Sequence, residues 1–439
     1  MLSRRLNYLG LTLIAIGSSI GVGIFAAPTE VIRQLPHAGW IVLVWMLGGG
    51  YALCGALTFA ELGGSFPKAG GVYVYLREAY GSYVAFLYGW VTLLVINTGA
   101  LAALALIFVN YLQVFLPPMN GGMQFILAAA TIMGLTAVNV IGIGVGDRLT
   151  RLLTITKVLA LLGIITAGLL YVNADTPAAA NVWALDSATP DNFGSAFLLG
   201  LIGVLFSFGG WHHASYLAGE TIAPQRTVPR AMITGALVVT VIYVLTNVAY
   251  LRLLPIEQLQ TTDAIARDAL LVFFSWGDKL AGAIVAASIL GTLVIYTMSA
   301  PRIYYAMAQD GVFFRSVGRL HPVYRTPARA MLLQAVWAVA LLYFWGTFGN
   351  LIEYVTFMDI TFMAAAGAAV FWFRRTQPGL SRPYRVWGYP VIPALFVGIS
   401  AAFLLNTLIE RPIQAGAGLL LVAVGSVVYL IFRRSAAEH

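Results

Sequence analysis

The feature that most limits this chain is a succession of apolar stretches, each about as long as a bilayer is thick, separated by short polar joints. A helix needs about 20 apolar residues to cross the roughly 30 Å hydrocarbon core. Windows of that size fall near 9–32, 39–62, 83–115, 121–142, 149–172 and 193–219, and again near 229–253, 278–308, 328–345, 350–373, 390–408 and 413–432. The pattern predicts twelve transmembrane helices, because lipid offers the backbone no hydrogen-bond partners and a helix satisfies its own. Only 10% of the 439 residues are charged, against about a quarter in ordinary soluble domains, and the mean hydropathy is +0.86. So few charges cannot cover a soluble body of this size. A soluble enzyme is excluded, and the short joints leave no room for an extramembrane domain. The expected fold class is an all-α integral membrane protein, a single transmembrane domain over 1–439.

The charges orient the spans. Lys and Arg number 25 against 17 Asp and Glu; in a membrane chain this excess marks the cytoplasmic loops rather than nucleic-acid binding. An even number of spans puts both termini on one side. Arg4, Arg5, Lys68, Arg77, Arg148 and Arg151 fall on that side, as do the basic residues between 226 and 230, 315 and 329, 374 and 385, and 433 and 434. The other side has Arg33, Arg252, Arg267, Lys279 and Arg411 among acids such as Asp175, Asp186 and Asp191. Both termini are therefore expected in the cytoplasm, with the chain in the cell membrane. The apolar run after Arg5 outlasts a signal peptide and is read as a retained first span. The single Cys54 lies within an apolar stretch, so no disulfide-linked partner subunit is expected.

Two spans are interrupted at their middles. The first reads Gly17-Ser18-Ser19-Ile20-Gly21-Val22-Gly23-Ile24-Phe25, and the sixth reads Phe206-Ser207-Phe208-Gly209-Gly210-Trp211-His212-His213. Glycine costs about 1 kcal/mol relative to alanine within a helix, so clusters at midspan predict unwound backbone, which is tolerated at that depth only where it lines a cavity or is buried in protein. Close packing of small residues is the competing explanation. The interruptions lie five spans apart, and an odd repeat must insert its second copy upside down. The result is an inverted repeat, the arrangement that marks a transporter's binding site. Free N–H groups and the positive helix end at Gly21, Val22 and Gly23 suit a carboxylate, whereas carbonyls near Ser19, Phe206 and Gly209 suit an ammonium. An α-amino acid zwitterion fits both; a dicarboxylate, or an ion with a separate anion, could use similar parts.

The same residues resemble a known family. Ile20-Gly21-Val22-Gly23-Ile24-Phe25 is similar to the first-span signature of the amino acid–polyamine–organocation (APC) superfamily, and Phe206-Ser207-Phe208-Gly209-Gly210-Trp211 to its sixth-span signature in the L-type amino acid transporters and their bacterial relatives. Ala69-Gly70-Gly71-Val72-Tyr73-Val74-Tyr75-Leu76-Arg77-Glu78 and Pro301-Arg302-Ile303-Tyr304-Tyr305-Ala306-Met307 match as well. The resemblance implies a LeuT-type fold with two inverted five-helix repeats, about 9–172 and 193–373, with helices 1 and 6 broken and two additional helices at about 390–432. Carried over residue by residue, it puts the carboxylate on Ser18, Gly21, Val22 and Gly23, and the ammonium on the carbonyls of Ser19, Phe206, Ser207 and Gly209. Phe206 would be an aromatic gate. Val22 departs from relatives, which often carry Ser or Thr there. The heavy-chain partner and linking cysteine of the human L-type proteins find no match.

Each ionisable residue within the membrane needs a reason, since a central charge costs at least about 2.5–3.5 kcal/mol. Lys157 lies eight residues into span 5, roughly 12 Å deep, which strains snorkelling to the interface. The resemblance implies that it replaces the sodium ion of related symporters, touching the unwound backbone near Gly17 and Ser288 of span 8. Asp359 of span 10 is read as a structural partner, a proton-binding group, or a ligand for a polar or cationic substrate side chain. His212 and His213, adjacent on a helix, point about 100° apart, and no metal site is expected; by analogy His213 lines the pocket. Glu220 beside Arg226 and Arg230 is either a cytoplasmic gate or an interfacial anchor. Asn97 is expected to serve interhelical packing or the pocket.

Together these expectations describe a sodium-independent amino acid transporter working by alternating access, in which spans 1, 2, 6 and 7 rock against spans 3, 4, 8 and 9. Exchange is the mode implied by the subfamily resemblance. Val22, Phe206 and Ile360 favour neutral substrates, while proton symport and the carriage of cationic amino acids or polyamines stand as alternatives. A channel would need charged rings or a filter, and an enzyme a nucleophile, metal spacing or cofactor loop; the sequence has none of these. No cofactor is expected.

Overall fold

The computed structural model describes residues 2–171, 193–344, 348–410 and 412–437. Asp175, Asp186, Asp191 and Arg411 lie outside the described residues. Span 1 is two helices, α1 (Tyr8–Ser19) and α2 (Gly23–Gln34); then come α3 (Ala38–Ser65), α4 (Val72–Tyr80), α5 (Ser82–Leu112), α6 (Gly121–Val140) and α7 (Ile143–Leu170). Span 6 is α8 (Phe193–Ser207) and the one-turn α9 (His213–Tyr216). There follow α10 (Pro224–Leu253), the short α11 (Ile256–Thr261) and α12 (Ile265–Leu271), α13 (Gly277–Ser299) and α14 (Pro301–Gln309). The described chain ends with α15 (Ala328–Phe344), α16 (Phe348–Thr376), α17 (Val391–Glu410) and α18 (Pro412–Ala437). Among the described residues, ten helical segments are long and apolar enough to cross a membrane, and Ala196–Ser207 and Ala328–Tyr343 are shorter apolar helices. The protein is a multi-pass helical membrane protein.

The helices sort into packed groups. α3 lies along α10, α1 packs on α10, and α2 packs on α8, whereas α13 packs against both α5 and α7. Helix α7 also touches α1 and α10, so it borders both groups. The later helices α17 and α18 leave long apolar side chains exposed, among them Leu405, Ile409, Leu420 and Ile431, as a lipid-facing surface requires. Helix α5 is not regular: Thr92–Ile96 forms a π-helical turn at its middle. The Thr98 hydroxyl bonds the Leu93 carbonyl there at 2.6 Å, meeting one acceptor of the widened turn.

The end of the molecule that carries the N-terminus is tied shut. Arg5 and Leu6 donate their backbone N–H groups to the Glu220 carbonyl at 2.9 and 3.0 Å, and Ile222 donates to the Leu6 carbonyl at 2.8 Å. This strap fastens the head of α1 to the end of span 6. Glu220 itself corrects the sequence reading: its carboxylate is paired not with Arg226 or Arg230 but with Arg302, whose Nε and Nη2 donate at 2.7 and 2.8 Å. Both side chains are fully enclosed, and Arg302 also donates to the Met298 carbonyl. The second half of span 6 is shorter than the expected half-helix, only α9 and a 3-10 turn at Ala218–Glu220. The chain must leave the helix there to bring Glu220 to Arg302 and Thr221 to Leu6. Elsewhere on this end, Glu61 of α3 takes Arg374 in a two-bonded pair at 2.6 and 3.0 Å and accepts the Val386 N–H at 2.7 Å.

Candidate functional site

The two interruptions meet. Glycine is required at both because each backbone fills the space where the other would carry a side chain. A Cβ on Gly23 would lie 2.6 Å from Ser207 Oγ and 2.8 Å from Ser207 Cα, and one on Gly210 would lie 2.5 Å from the Ser18 carbonyl oxygen. Gly210 also has φ +103°, a conformation other residues adopt only with strain. Helix α2 starts at Gly23, and Val22 before it supplies no side-chain cap, so the head of α2 presents its first N–H groups uncapped by any side chain.

A cavity opens at this meeting point. Its wall includes Ser18, Ser19, Gly21, Val22, Gly23, Phe206, Ser207, Gly209, His213, Asp359 and Ile360, so all the residues expected around a substrate line one space. It continues past Gly99, Ala103 and Leu104 in the later half of α5, towards the end opposite the N-terminus. The cavity volume is about 120 Å³, small beside the usual range of about 300–1,000 Å³ for ligand sites.

Not every expected group is offered to this space. The Ser18 hydroxyl turns back to the carbonyls of Ile14 at 2.7 Å and Gly210 at 2.8 Å, leaving Ser18 only its backbone. The Ser19 carbonyl already accepts the Tyr243 hydroxyl at 2.8 Å and the Gly21 N–H at 2.9 Å. Both its lone pairs are used, so among the expected ammonium acceptors the carbonyls of Phe206, Ser207 and Gly209 remain. Phe206 keeps one acceptor position in reserve, since its carbonyl takes the Gly209 N–H at 3.1 Å.

Lys157 lies behind the cavity, fully buried in α7. Its Nζ donates to the carbonyls of Gly17 at 2.9 Å and Ile20 at 2.5 Å at the end of α1, and to the Ser288 carbonyl of α13 at 2.9 Å. Three carbonyl oxygens around one ammonium match its three donors. Ser288 adds its hydroxyl, 3.2 Å from the Ile20 and Gly21 carbonyls. The sequence reading missed Thr292, one turn along α13. Its hydroxyl lies 3.1 Å from the Gly17 carbonyl and 3.3 Å from Lys157 Nζ, and it also lines the cavity. A Ser-x-x-x-Thr pair on one face of an apolar helix was the available signal.

The remaining groups form the cavity's far wall. His213 Nδ1 is 2.6 Å from the Ser299 hydroxyl, and its ring stacks on Tyr296 at 4.2 Å between centroids. His212 lies beside it, ring centroids 4.9 Å apart. Asn97 reaches the Gln334 side chain at 3.0 Å and the Tyr296 carbonyl at 3.4 Å, so it both packs and lines the space. The hydroxyls of Tyr88 and Tyr216 bond each other at 2.6 Å.

Comparison with known sequences meets this geometry. The family profile described as "Amino acid permease" matches residues 6–430. The chain belongs to the amino acid permease family. This permease is 33% identical over 432 residues to the serine/threonine exchanger SteT of Bacillus subtilis, covering 98% of this chain and 96% of that one. It is 30% identical over 443 residues to the human Asc-type amino acid transporter 1, covering 98% and 82%. It is also 30% identical over 435 residues to the rabbit large neutral amino acids transporter small subunit 2, covering 95% and 78%. In the permease the interrupted helices, the cavity and Lys157 thus occur within a chain similar to transporters along nearly its whole length.

Proposed function

We propose that this permease is a sodium-independent exchanger of neutral amino acids that works by alternating access in the cell membrane, with both termini in the cytoplasm. The observation that carries the reading is Lys157 Nζ joining the broken end of α1 to α13 through the carbonyls of Gly17, Ile20 and Ser288. A fixed ammonium there does what a bound cation would do: it ties the interrupted helix to its neighbours without needing an ion from solution. The zwitterion's carboxylate meets the N–H groups of Val22 and Gly23, that of Gly21 being turned to the Ser19 carbonyl, its ammonium the carbonyls of Phe206, Ser207 and Gly209, and Phe206 closes over it. Ile360 and His213 flank the side chain. The named activities of the similar proteins, a serine/threonine exchanger and neutral amino acid transporters, support this reading.

The fold we infer has twelve spans, the two shorter apolar helices being the sixth and ninth. Repeats at about 9–172 and 193–373 are inverted relative to each other, with two further helices behind them. Packing supports this arrangement. An axis in the membrane plane relating span 1 to 6, 2 to 7 and 3 to 8 brings such partners together at the centre, and α2 with α8, α3 with α10, and α5 with α13 do pack on each other.

Amino acid uptake into proteoliposomes tests the function. Exchange predicts uptake into vesicles preloaded with amino acid, little into empty ones, and no response to an inward proton gradient. A second reading, proton symport or cationic substrates, is favoured by Asp359 on the cavity wall. It predicts gradient-driven uptake into empty vesicles, or transport of lysine-like substrates that Asp359→Asn abolishes.

A further inference from the structure

We infer that the N-terminal end of the molecule carries a binding site for the phosphate group of an anionic glycerophospholipid, built between the segment preceding α1 and the head of α7. A second cavity there is lined by Arg5, Leu6, Gly144, Asp147, Arg148 and Arg151, with about 620 Å³ of empty space out to its mouth. Three guanidinium groups face one carboxylate, so the cavity is net cationic. The Arg5 guanidinium reaches over α7: its Nη1 lies 3.8 Å from where a Cβ on Gly144 would stand. Helix α7 begins beside it at Gly142, which supplies no side-chain cap.

Two polar atoms in this cluster are buried without partners, namely Asp147 Oδ1 and Arg151 Nε. The other halves of the same side chains are well used. Asp147 Oδ2 holds Arg151 Nη2 at 2.7 Å, and Arg151 Nη2 also reaches Asn7 Oδ1 at 3.1 Å. Arg5 and Arg148, exposed at the cavity, offer guanidinium N–H donors to a ligand that accepts. A phosphate diester accepts from these arginines. Phosphatidylglycerol carries such a diester with a net negative charge. The flanks suit acyl chains, because Tyr8 and Leu9 on α1 and Val145 and Leu152 on α7, sequence neighbours of the polar cluster, are exposed apolar residues.

The site spans a joint. Arg5 is carried by the strap bonded to the Glu220 carbonyl, whereas Arg148 and Arg151 are carried by α7. A phosphate gripped by both favours the arrangement in which the head of α1 stays against α7, and it shifts the conformational balance by its difference in affinity between the two arrangements.

Lipid retention on the purified, intact protein tests this without reference to transport. Native mass spectrometry with equal phosphatidylglycerol and phosphatidylcholine should show phosphatidylglycerol retained preferentially by the wild type. The Arg5→Gln/Arg148→Gln protein, altered at two exposed side chains, should bind it at least about tenfold more weakly, about 1.4 kcal/mol. Lys68→Gln, which removes a basic residue expected on the same face, should retain it unchanged. Inorganic phosphate as competitor separates the sources. Arginine-dependent phosphate binding without any lipid preference would overturn the lipid assignment and give the site to a soluble phosphate. Equal retention by the wild type and the double variant, or equal loss in Lys68→Gln, would overturn the proposal.

Discussion

The interruptions of spans 1 and 6 look alike in sequence, two glycine clusters five spans apart, but the structure holds them differently. The end of α1 is fixed by side chains from other helices: Lys157, Ser288 and Thr292 converge on the Gly17 and Ile20 carbonyls, and Tyr243 takes that of Ser19. The turn after α8 is held mainly by fit, Gly210 lying against the Ser18 backbone and Ser207 against Gly23. Its polar anchors are neutral near the turn, the Ser18 hydroxyl on the Gly210 carbonyl and His213 on the Ser299 hydroxyl, and its charged one is remote, at Glu220 and Arg302. The first break is thus placed by a charge and the second by shape. A charge-held break can be released by moving one helix, whereas a shape-held break follows whatever it is packed on.

This contrast can be broken at several places. The largest expected effect is Glu220→Ala, which leaves the Arg302 guanidinium enclosed without its counter-charge. Losing one partner of a buried pair costs about 3–5 kcal/mol, and the purified protein should melt several degrees lower. Replacing both partners with apolar residues should recover much of that loss, since such pairs contribute little net stability. Next comes Gly210→Ala, which meets both an unfavourable φ and a 2.5 Å approach to the Ser18 oxygen. It should cost about 1–3 kcal/mol and weaken substrate binding measured by equilibrium dialysis; unchanged affinity would mean that the second break is not held by shape. Smallest is Tyr243→Phe, which removes one of two hydrogen bonds to the Ser19 carbonyl and should cost about 0.5–1.5 kcal/mol in a denaturation series.

Much of this architecture could be read from the chain because membranes simplify the physics. Apolar runs of bilayer length have few alternatives to helices, and glycine clusters at midspan have few uses. Lys157 stood out because its depth strains snorkelling, and the family resemblance put it near Gly17 and Ser288, whose carbonyls its Nζ meets. The missed features depend on which remote groups meet. Glu220 has Arg226 and Arg230 close in sequence, but its partner Arg302 lies 82 residues away, in a motif that gave no sign of pairing. That the Ser19 carbonyl is already occupied depends on Tyr243, a residue that reads simply as part of an apolar span. The π-helical turn at Thr92–Ile96 likewise contains no glycine or proline of its own to announce it.

The most direct test of the account is amino acid exchange in sodium-free proteoliposomes by the wild type and by Lys157→Ala, each checked for intact insertion. If the ammonium stands in place of a bound cation, the wild type exchanges at the same rate with or without sodium. Lys157→Ala, with three carbonyls left unmatched, should fall at least about a hundredfold, about 2.7 kcal/mol on the transport barrier. Exchange by Lys157→Ala within a factor of two of the wild type would contradict the account.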